Sequence, residues 1–180
     1  MKAIIMAGGK GTRLRPFTYI LPKPLLPIND KSIIEINIKY LKSFGVEEII
    51  ISDSLLYGKM IETIIGDGKK FGLSIKYSYE TKPLSTAGPL SLVREQLDEK
   101  VFVLNADILH NLNYSSLLES HSNSKADISI ASYSLKHRVD LGVLDHNNNV
   151  LENYIEKPTY SYDISMGLYC INRVIIISDV

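Results

Sequence analysis

Residues 3–16 of the chain read AIIMAGGKGTRLRP, and residues 22–28 follow with PKPLLPI. The apolar run at residues 4–6 is typical of a strand that is buried on both faces of a sheet. Three of the four residues from 8 to 11 are glycine, so the backbone can turn sharply and present N–H groups with no Cβ in the way. Because a concave run of N–H donors binds anions, this strand and turn predict a phosphate site.

Two fixed positive charges follow the glycine turn. Arg13 can hold phosphate oxygens in a bidentate fork, and Lys23 can act as a point charge. The P-loop pattern G-x-x-x-x-G-K-[ST] and the dinucleotide pattern G-x-G-x-x-G are both absent from this stretch. A glycine pair alone would indicate an ordinary strand-to-helix turn, but the added charges and the Pro-Lys-Pro block favour a phosphate-binding loop.

The composition fits one globular domain at residues 1–180, with 45% hydrophobic and 22% charged residues. The net charge of +0 disfavours nucleic-acid binding, since proteins of that class usually carry a basic excess. A single cysteine, Cys170, excludes an internal disulfide and fits a reducing compartment. The N-terminal apolar run is too short for a signal peptide or a membrane span, so we expect a cytoplasmic protein that does not bind membranes.

Helical and strand patterns alternate along the first part of the chain. A capping box at residues 32–35 opens a helix that ends at Gly45; further helices are predicted at 60–65, 87–97 and 117–118, and strands at 48–52, 73–79 and 101–104. This alternation predicts a Rossmann-like α/β fold with a mixed, mainly parallel sheet flanked by helices. Ligands of such sheets bind beyond the carboxyl ends of the strands, where the glycine loop and residues 105–107 both fall.

The later part of the chain has a different pattern. Polar and apolar residues alternate at 127–134, an Asn-rich turn at 146–149 predicts a hairpin, and residues 167–171 read as a further strand. These features predict an antiparallel portion within the same domain.

The pattern Gly-Gly-x-Gly-Thr-Arg-Leu-x-Pro, followed by Pro-Lys-Pro-Leu, resembles the signature of the sugar-phosphate nucleotidyltransferases. These enzymes join a nucleoside triphosphate to a sugar 1-phosphate, and the resemblance extends over essentially the whole chain. It implies the nucleotide-diphospho-sugar transferase fold, with a nucleotide-binding half at residues 1–110 and a sugar-binding half at 111–180. It also implies triphosphate binding by Ala7, Gly8, Gly9, Gly11 and Thr12, with Arg13 on the β- and γ-phosphates and Lys23 on the α-phosphate.

Asp107 follows a predicted strand at the same edge of the sheet. A carboxylate there suits a Mg²⁺ ion that bridges to phosphates, but an Asp that caps the turn after a strand is about as common. The residues alone leave both interpretations open. The resemblance implies that Asp107 holds Mg²⁺, which is the cofactor we expect.

Glu80 opens the segment ETKPLSTAGPL. By itself it is an ordinary exposed glutamate at the end of a strand. The resemblance implies that this position reads the base, with Thr86, Ala87 and Gly88 also contacting the nucleotide. A carboxylate only accepts hydrogen bonds, and guanine presents two adjacent donors, so Glu80 favours GTP over UTP or dTTP.

The segment around Glu80 is also similar to that of the guanylyltransferases that make GDP-mannose or GDP-heptose, except that Ser85 stands where the family usually has Gly. The leading prediction is therefore an enzyme that transfers GMP from GTP to a sugar 1-phosphate and releases pyrophosphate. Thymidylyl, uridylyl or cytidylyl transfer to a hexose 1-phosphate is the alternative reaction. A homo-oligomer is compatible with the sequence.

Three residues of the later half are predicted to bind the sugar phosphate. In isolation, Glu156 and Lys157 favour a surface ion pair before a turn proline. The resemblance implies that Glu156 accepts hydrogen bonds from sugar hydroxyls, that Lys157 contacts the phosphate and that Gly142 makes a backbone contact. Ser165 and Met166 depart from the family pattern, so the identity of the sugar stays open.

The remaining candidates have no predicted role in chemistry. His110, His121, His137 and His146 lack metal-ligand spacing and lie among polar or turn residues, so we predict them at the surface. Cys170 lies in an apolar strand and is predicted to be a core residue.

The family carries a second metal-binding acid well downstream of the strand at 167–171, and the printed sequence ends at Val180. Three explanations stay open. The sequence is a fragment of a longer chain, the metal site is a variant one, or the protein is a non-catalytic subunit that binds nucleotide sugars.

Overall fold

The computed structural model describes residues 1–9, 11–82, 84–85 and 87–176. The strands are β1 (Lys2–Met6), β2 (Pro27–Ile28), β3 (Lys31–Ser32), β4 (Glu48–Ser54), β5 (Ser74–Glu80), β6 (Lys100–Asn105), β7 (Ile128–Arg138), β8 (Val143–Asn147), β9 (Val150–Ile155) and β10 (Thr159–Asn172). The α-helices are α1 (Ile33–Ser43), α2 (Leu55–Ile65) and α3 (Tyr114–Asn123). Short 3₁₀ segments occur at Thr12–Leu14, Phe17–Tyr19, Lys23–Leu25, Lys69–Phe71, Gly88–Gln96 and Arg173–Ile175.

The main sheet has six strands in the order β5-β4-β1-β6-β10-β7. β1 pairs in parallel with β4 and β6, β4 pairs in parallel with β5, and β10 runs antiparallel to β6. The mainly parallel α/β fold predicted from the sequence is therefore confirmed. The carboxyl ends of the four parallel strands meet at one edge, which is where such sheets bind ligands.

The apolar strands are buried on both faces of this sheet, as their sequence predicts. On one face, Ile4 and Ile50 pack in a cluster with Val93 and Ile171. Helix α1 buries its apolar side chains at Ile34, Ile38 and Leu41. It begins with the predicted capping box, in which the Ser32 side chain accepts from the Glu35 N–H and the Glu35 carboxylate accepts from the Ser32 N–H.

The chain divides into two compact units, which differ from the predicted halves. The first contains Met1–Ile130 and the chain from Gly167 on, and the second contains Ala131–Met166. Residues 111–130 thus belong to the first unit, because α3 packs there through the buried side chain of Tyr114. In the second unit Ala131 is the one buried residue among those described.

The helix predicted at residues 87–97 is a 3₁₀ helix rather than an α-helix. Its hydrogen bonds close three residues apart, from Leu90 N to Ala87 O at 3.0 Å and from Leu97 N to Arg94 O at 3.1 Å. The Ser91 hydroxyl also donates to Gly88 O at 2.7 Å, so a side chain takes a carbonyl that an α-helix would use.

The prediction that the histidines lie at the surface is wrong for His121, which is only 2% exposed. Its Nδ1 lies 2.8 Å from Ser129 Oγ and its Nε2 lies 3.0 Å from Asn172 Oδ1. Both ring nitrogens therefore have hydrogen-bond partners, which offset the cost of burying a polar ring. His110 is half-buried, and burial lowers the pKa of its imidazole. Cys170 is buried in β10, as predicted.

Candidate active site

A cavity of about 540 Å³ opens at the carboxyl edge of the parallel strands. Its lining includes nine of the residues predicted from the sequence, namely Ala7, Gly8, Gly9, Gly11, Thr12, Arg13, Lys23, Glu80 and Asp107. Met6, Leu14, Pro24, Ser85, Asn105 and Ala106 complete the lining. The structure thus brings the glycine loop together with Arg13, Lys23, Glu80 and Asp107.

The parallel strands position the glycine loop and Asp107 side by side. Ala7 N donates to Ser52 O at 2.7 Å, and Ala106 N donates to Met6 O at 2.9 Å. These bonds carry the strand pairing of β1 with β4 and β6 one residue past the strand ends. As a result, the loop after β1 and the acid after β6 leave neighbouring strands at the same level.

Gly11 occupies a position that only glycine adopts without strain. Its φ is +58°, and a Cβ there would lie 2.8 Å from Thr18 Cγ2 and 3.4 Å from Lys23 Cβ. The carbonyl of Gly11 accepts from Leu14 N at 2.9 Å. The glycine is therefore required by both the turn and the close packing of the segment that carries Lys23.

Lys23 and Asp107 form a direct ion pair, with 2.5 Å between Nζ and Oδ2. Both side chains are partly exposed to the cavity. The sequence predicted each residue at the site but not their contact, because Lys23 lies in the 3₁₀ segment Lys23–Leu25 and Asp107 lies 84 positions later. A lysine beside the predicted metal-binding acid neutralises it in this arrangement.

The residues present fit a magnesium ion that is held mainly by its substrate. Asp107 offers a hard carboxylate oxygen, Oδ1, besides the Oδ2 that contacts Lys23. Across the described ranges no group of three or more His, Cys, Asp or Glu side chains is placed to hold a metal. The remaining ligands would therefore be phosphate oxygens and water, which is usual for Mg²⁺ at nucleotide sites.

Glu80 lies between two loops of the cavity. Its Oε2 accepts a hydrogen bond from Leu84 N at 3.0 Å, and its Oε1 lies 3.3 Å from the position that a Cβ on Gly8 would occupy. The carboxylate therefore closes its own loop and faces the glycine turn. Ser85, next in that loop, has a φ of +64°, a conformation that a non-glycine residue adopts only with strain.

Two other predicted nucleotide contacts, Ala87 and Gly88, do not line this cavity. Ala87 and Gly88 line a neighbouring cavity of about 610 Å³, which shares Met6, Ser85 and Asn105 with the first. Its lining is mostly apolar. Thr86 lies outside the described residues.

Sequence reasoning missed Asp53, a buried acid at the end of β4. It is 1% exposed, and its Oδ1 accepts from Ser54 N at 2.5 Å. Its Oδ2 has no hydrogen-bond partner within the part of the chain that is described. Burial raises the pKa of Asp53 to about 6, and the nearby charge of Glu80 acts in the same direction. The available signal was the Ser-Asp-Ser run that ends an otherwise apolar strand at the ligand edge.

The three predicted sugar-phosphate residues lie in the second unit, residues 131–166. There, a Cβ on Gly142 would overlap the ring of Tyr154, at 2.8 Å from its Cε2. The Tyr154 hydroxyl donates to Glu156 Oε2 at 2.7 Å, which raises the pKa of that tyrosine. Lys157 follows with a φ of +45°. Tyr154 was missed, although it lies near the end of β9, two residues before Glu156.

A parallel sheet whose carboxyl edge carries a glycine loop, a lysine and a carboxylate defines an α/β phosphate-binding domain. The profile of the nucleotidyl transferase family matches residues 2–180, and the chain belongs to this family. The family predicted from the sequence is thereby confirmed. No helix among the described residues is long and apolar enough to cross a membrane.

Curated relatives carry names that specify a reaction. The chain is 35% identical over 183 residues to a mannose-1-phosphate guanyltransferase of Yarrowia lipolytica, covering 98% of this chain and 50% of that protein. It is 36% identical over 183 residues to the mannose-1-phosphate guanylyltransferase catalytic subunit beta of Dictyostelium discoideum, covering 98% and 51%. The chain therefore spans about half the length of the curated relatives it matches.

Solved structures share the fold. HddC from Yersinia pseudotuberculosis complexed with GMP-PN matches with a TM-score of 0.73 at 27% identity, over 99% of this chain and 79% of that one. A putative glucose-1-phosphate thymidylyltransferase from Bacillus anthracis, in complex with a sucrose, matches with a TM-score of 0.76 at 26% identity, over 96% and 72%.

Proposed function

We propose that this chain carries the nucleotidyl-transfer site of a sugar-1-phosphate guanylyltransferase, which moves GMP from GTP to a sugar 1-phosphate and releases pyrophosphate. The observation that carries the proposal is the single cavity lined by the glycine loop, Arg13, Lys23 and Asp107. Mannose 1-phosphate is the first sugar to test, since curated relatives are named for it. The buried thiol of Cys170 fits a cytoplasmic location, which is part of the proposal.

The proposed reaction needs positioning and charge neutralisation more than acid–base groups. An oxygen of the sugar 1-phosphate attacks the α-phosphorus in line, the bond to the β-phosphate oxygen breaks, and pyrophosphate leaves without a covalent enzyme intermediate. The N–H groups of the glycine loop cradle the triphosphate, and Arg13 holds its β- and γ-phosphates. Lys23 stabilises charge at the α-phosphate, and Lys157 orients the incoming phosphate.

Asp107 would hold Mg²⁺, which supplies neutralisation of phosphate charge when bound. Lys23 contacts Oδ2 of Asp107, and its ammonium group carries further N–H donors that can reach an α-phosphate oxygen.

Base selection is proposed to rest on Glu80. Its Oε1 faces the glycine turn, and a carboxylate can accept from both N1–H and the 2-amino group of guanine. The variant Glu80→Gln keeps an acceptor for Leu84 N and so preserves the loop, while it adds a donor that suits uracil or thymine. We expect the ratio of kcat/KM for GTP over UTP to fall roughly fivefold to thirtyfold, which corresponds to about 1–2 kcal/mol.

Pyrophosphate release with GTP, mannose 1-phosphate and Mg²⁺ tests the proposed reaction. Parallel reactions with UTP, dTTP and CTP test the alternative bases, and Glu119→Gln on the exposed face of α3 serves as a charge-matched control for Glu80→Gln. The absence of pyrophosphate release with every tested pair of nucleotide and sugar phosphate, together with tight binding of GDP-mannose, would favour the non-catalytic subunit instead. Unchanged GTP preference in Glu80→Gln would remove Glu80 from base selection.

A further inference from the structure

Thr18 is a buried residue in an otherwise exposed segment. It is 5% exposed, whereas Phe17, Tyr19 and Ile20 beside it are 67% to 77% exposed. Apolar residues normally take the buried positions of such a segment, and here they face solvent while a hydroxyl is inside. The side-chain contacts of Thr18 explain why it is buried, because they reach Gly11 in the glycine loop.

The Thr18 side chain holds Gly11 in two ways. Its Oγ1 donates to the Gly11 carbonyl at 2.9 Å, and its Cγ2 methyl lies 2.8 Å from the position that a Cβ on Gly11 would occupy. The carbonyl of one residue and the N–H of the next point in opposite directions across a trans peptide. The Thr18 hydrogen bond therefore fixes the direction of the Thr12 N–H, in a loop that lines the cavity.

The same contact joins the two cationic parts of the site. The position that a Cβ on Gly11 would occupy lies 3.4 Å from Lys23 Cβ. Lys23 lies on the segment that continues from Thr18. The φ of Gly11 is +58°. Without a restraint, a glycine also populates many other backbone conformations. A buried hydroxyl on its carbonyl supplies that restraint.

We propose that Thr18 is a positioning residue of the nucleotide site, and that its hydroxyl keeps the Gly11–Thr12 peptide in the orientation that accepts phosphate. This inference rests on the nucleotide binding proposed for the same cavity. Thr18 contacts no substrate. It acts by sparing the triphosphate the entropic cost of ordering a glycine-rich loop.

Two variants separate the hydroxyl from the methyl group. Thr18→Val keeps the shape and removes the donor, and Thr18→Ser keeps the donor and removes the methyl. Because Gly11 O also accepts from Leu14 N, Thr18→Val leaves no orphaned carbonyl, and we expect it to fold. Thr63→Val is the matched control, since Thr63 lies on the exposed face of α2 and its Oγ1 donates to Lys59 O at 2.9 Å.

The experiment measures amide hydrogen exchange over residues 8–14 and the Kd for GTP by calorimetry. For Thr18→Val we expect faster exchange across the loop and a Kd that rises roughly tenfold, with Thr18→Ser and Thr63→Val close to the parent protein. A merely structural role would lower the unfolding temperature without changing loop exchange or the Kd in the folded protein.

Loop exchange in Thr18→Val equal to that of the parent, or equal loosening in Thr18→Ser and Thr18→Val, would overturn the proposal. If the parent protein binds none of GTP, UTP, dTTP or CTP, the proposed function is overturned. The amide hydrogen exchange measurement then still decides whether the Thr18 hydroxyl orders the loop.

Discussion

The two compact units hold their predicted site residues by different means. In the first unit, the glycine loop and Asp107 follow the buried strands β1 and β6, and Lys23 pairs directly with Asp107. In the second unit, Glu156 is held by one tyrosine hydroxyl on a strand whose residues are all exposed. The difference indicates that the residues proposed to bind phosphate are held in a preformed arrangement, whereas those proposed to bind the sugar phosphate depend on a few surface contacts.

The first prediction concerns Lys23, which should have the largest effect. Lys23→Met removes a charge proposed to act on the transition state, so we expect kcat to fall by roughly 10²–10³-fold. The free energy of unfolding should change little, because the ion pair is partly exposed. Steady-state pyrophosphate release and urea denaturation measure the two effects.

Lys157→Met is the matched variant in the second unit, and it should mainly raise the KM for the sugar phosphate. A loss of kcat in Lys157→Met as large as in Lys23→Met would contradict the contrast between the units.

The second prediction concerns the buried acid Asp53. Its pKa of about 6 lies above the ordinary 3.8, so the folded state binds the proton more tightly than the unfolded state. The free energy of unfolding should therefore fall as pH rises through this interval, by roughly 3 kcal/mol, and level off above the folded pKa. Asp53→Asn should lose this pH dependence, as measured by urea denaturation at several pH values.

The control for Asp53→Asn is Glu152→Gln, which removes an exposed carboxylate from the second unit. It should keep the pH profile of the parent. Parallel pH profiles for the parent and Asp53→Asn would show that Asp53 is not the group that titrates.

The third prediction weakens the sugar side alone. Tyr154→Phe removes the hydroxyl that holds Glu156, so the KM for the sugar 1-phosphate should rise about threefold to tenfold while the KM for GTP stays unchanged. Tyr133→Phe, an exposed tyrosine of the same unit, should alter neither constant. Equal changes in both KM values would contradict an independent sugar side.

The smallest expected effect belongs to Ser85. Ser85→Gly relieves a left-handed backbone conformation, offset in part by the greater freedom of glycine when unfolded, so stability should rise by about 0.5–1 kcal/mol. Asn29→Gly, at a φ of +55°, should gain less because asparagine tolerates this region. Chemical denaturation of both variants gives the comparison, and a larger gain at Asn29 would count against strain at Ser85.

Much of the fold could be predicted because its signals are local. The apolar run of β1 and the Ser32 to Glu35 capping box each reflect a physical requirement within a few residues. The helix at 87–97 was predicted with the wrong hydrogen-bond period, because the Ser91 hydroxyl competes for a carbonyl and periodicity does not register this. The burial of His121 depends on Asn172, 51 positions away.

The candidate site divides in the same way. The glycine turn and its charges are adjacent in sequence, so their joint role was visible. The ion pair of Lys23 with Asp107 and the burial of Asp53 depend on which distant segments lie side by side. Thr18 lies between the glycine turn and the Pro-Lys-Pro block, yet nothing in its pattern showed that its hydroxyl would reach back to Gly11.

If the proposed site binds nucleotide, the ion pair of Lys23 and Asp107 has a consequence for the rate of nucleotide association. Two opposite charges 2.5 Å apart act as a dipole at long range, and their field fades within the Debye length of about 10 Å. In the proposed reaction, the exposed Arg13 would steer an approaching triphosphate, and the net effect of Lys23 and Asp107 would be small until the triphosphate is close. Salt should slow association through Arg13, while Lys23 should set how long the bound nucleotide stays.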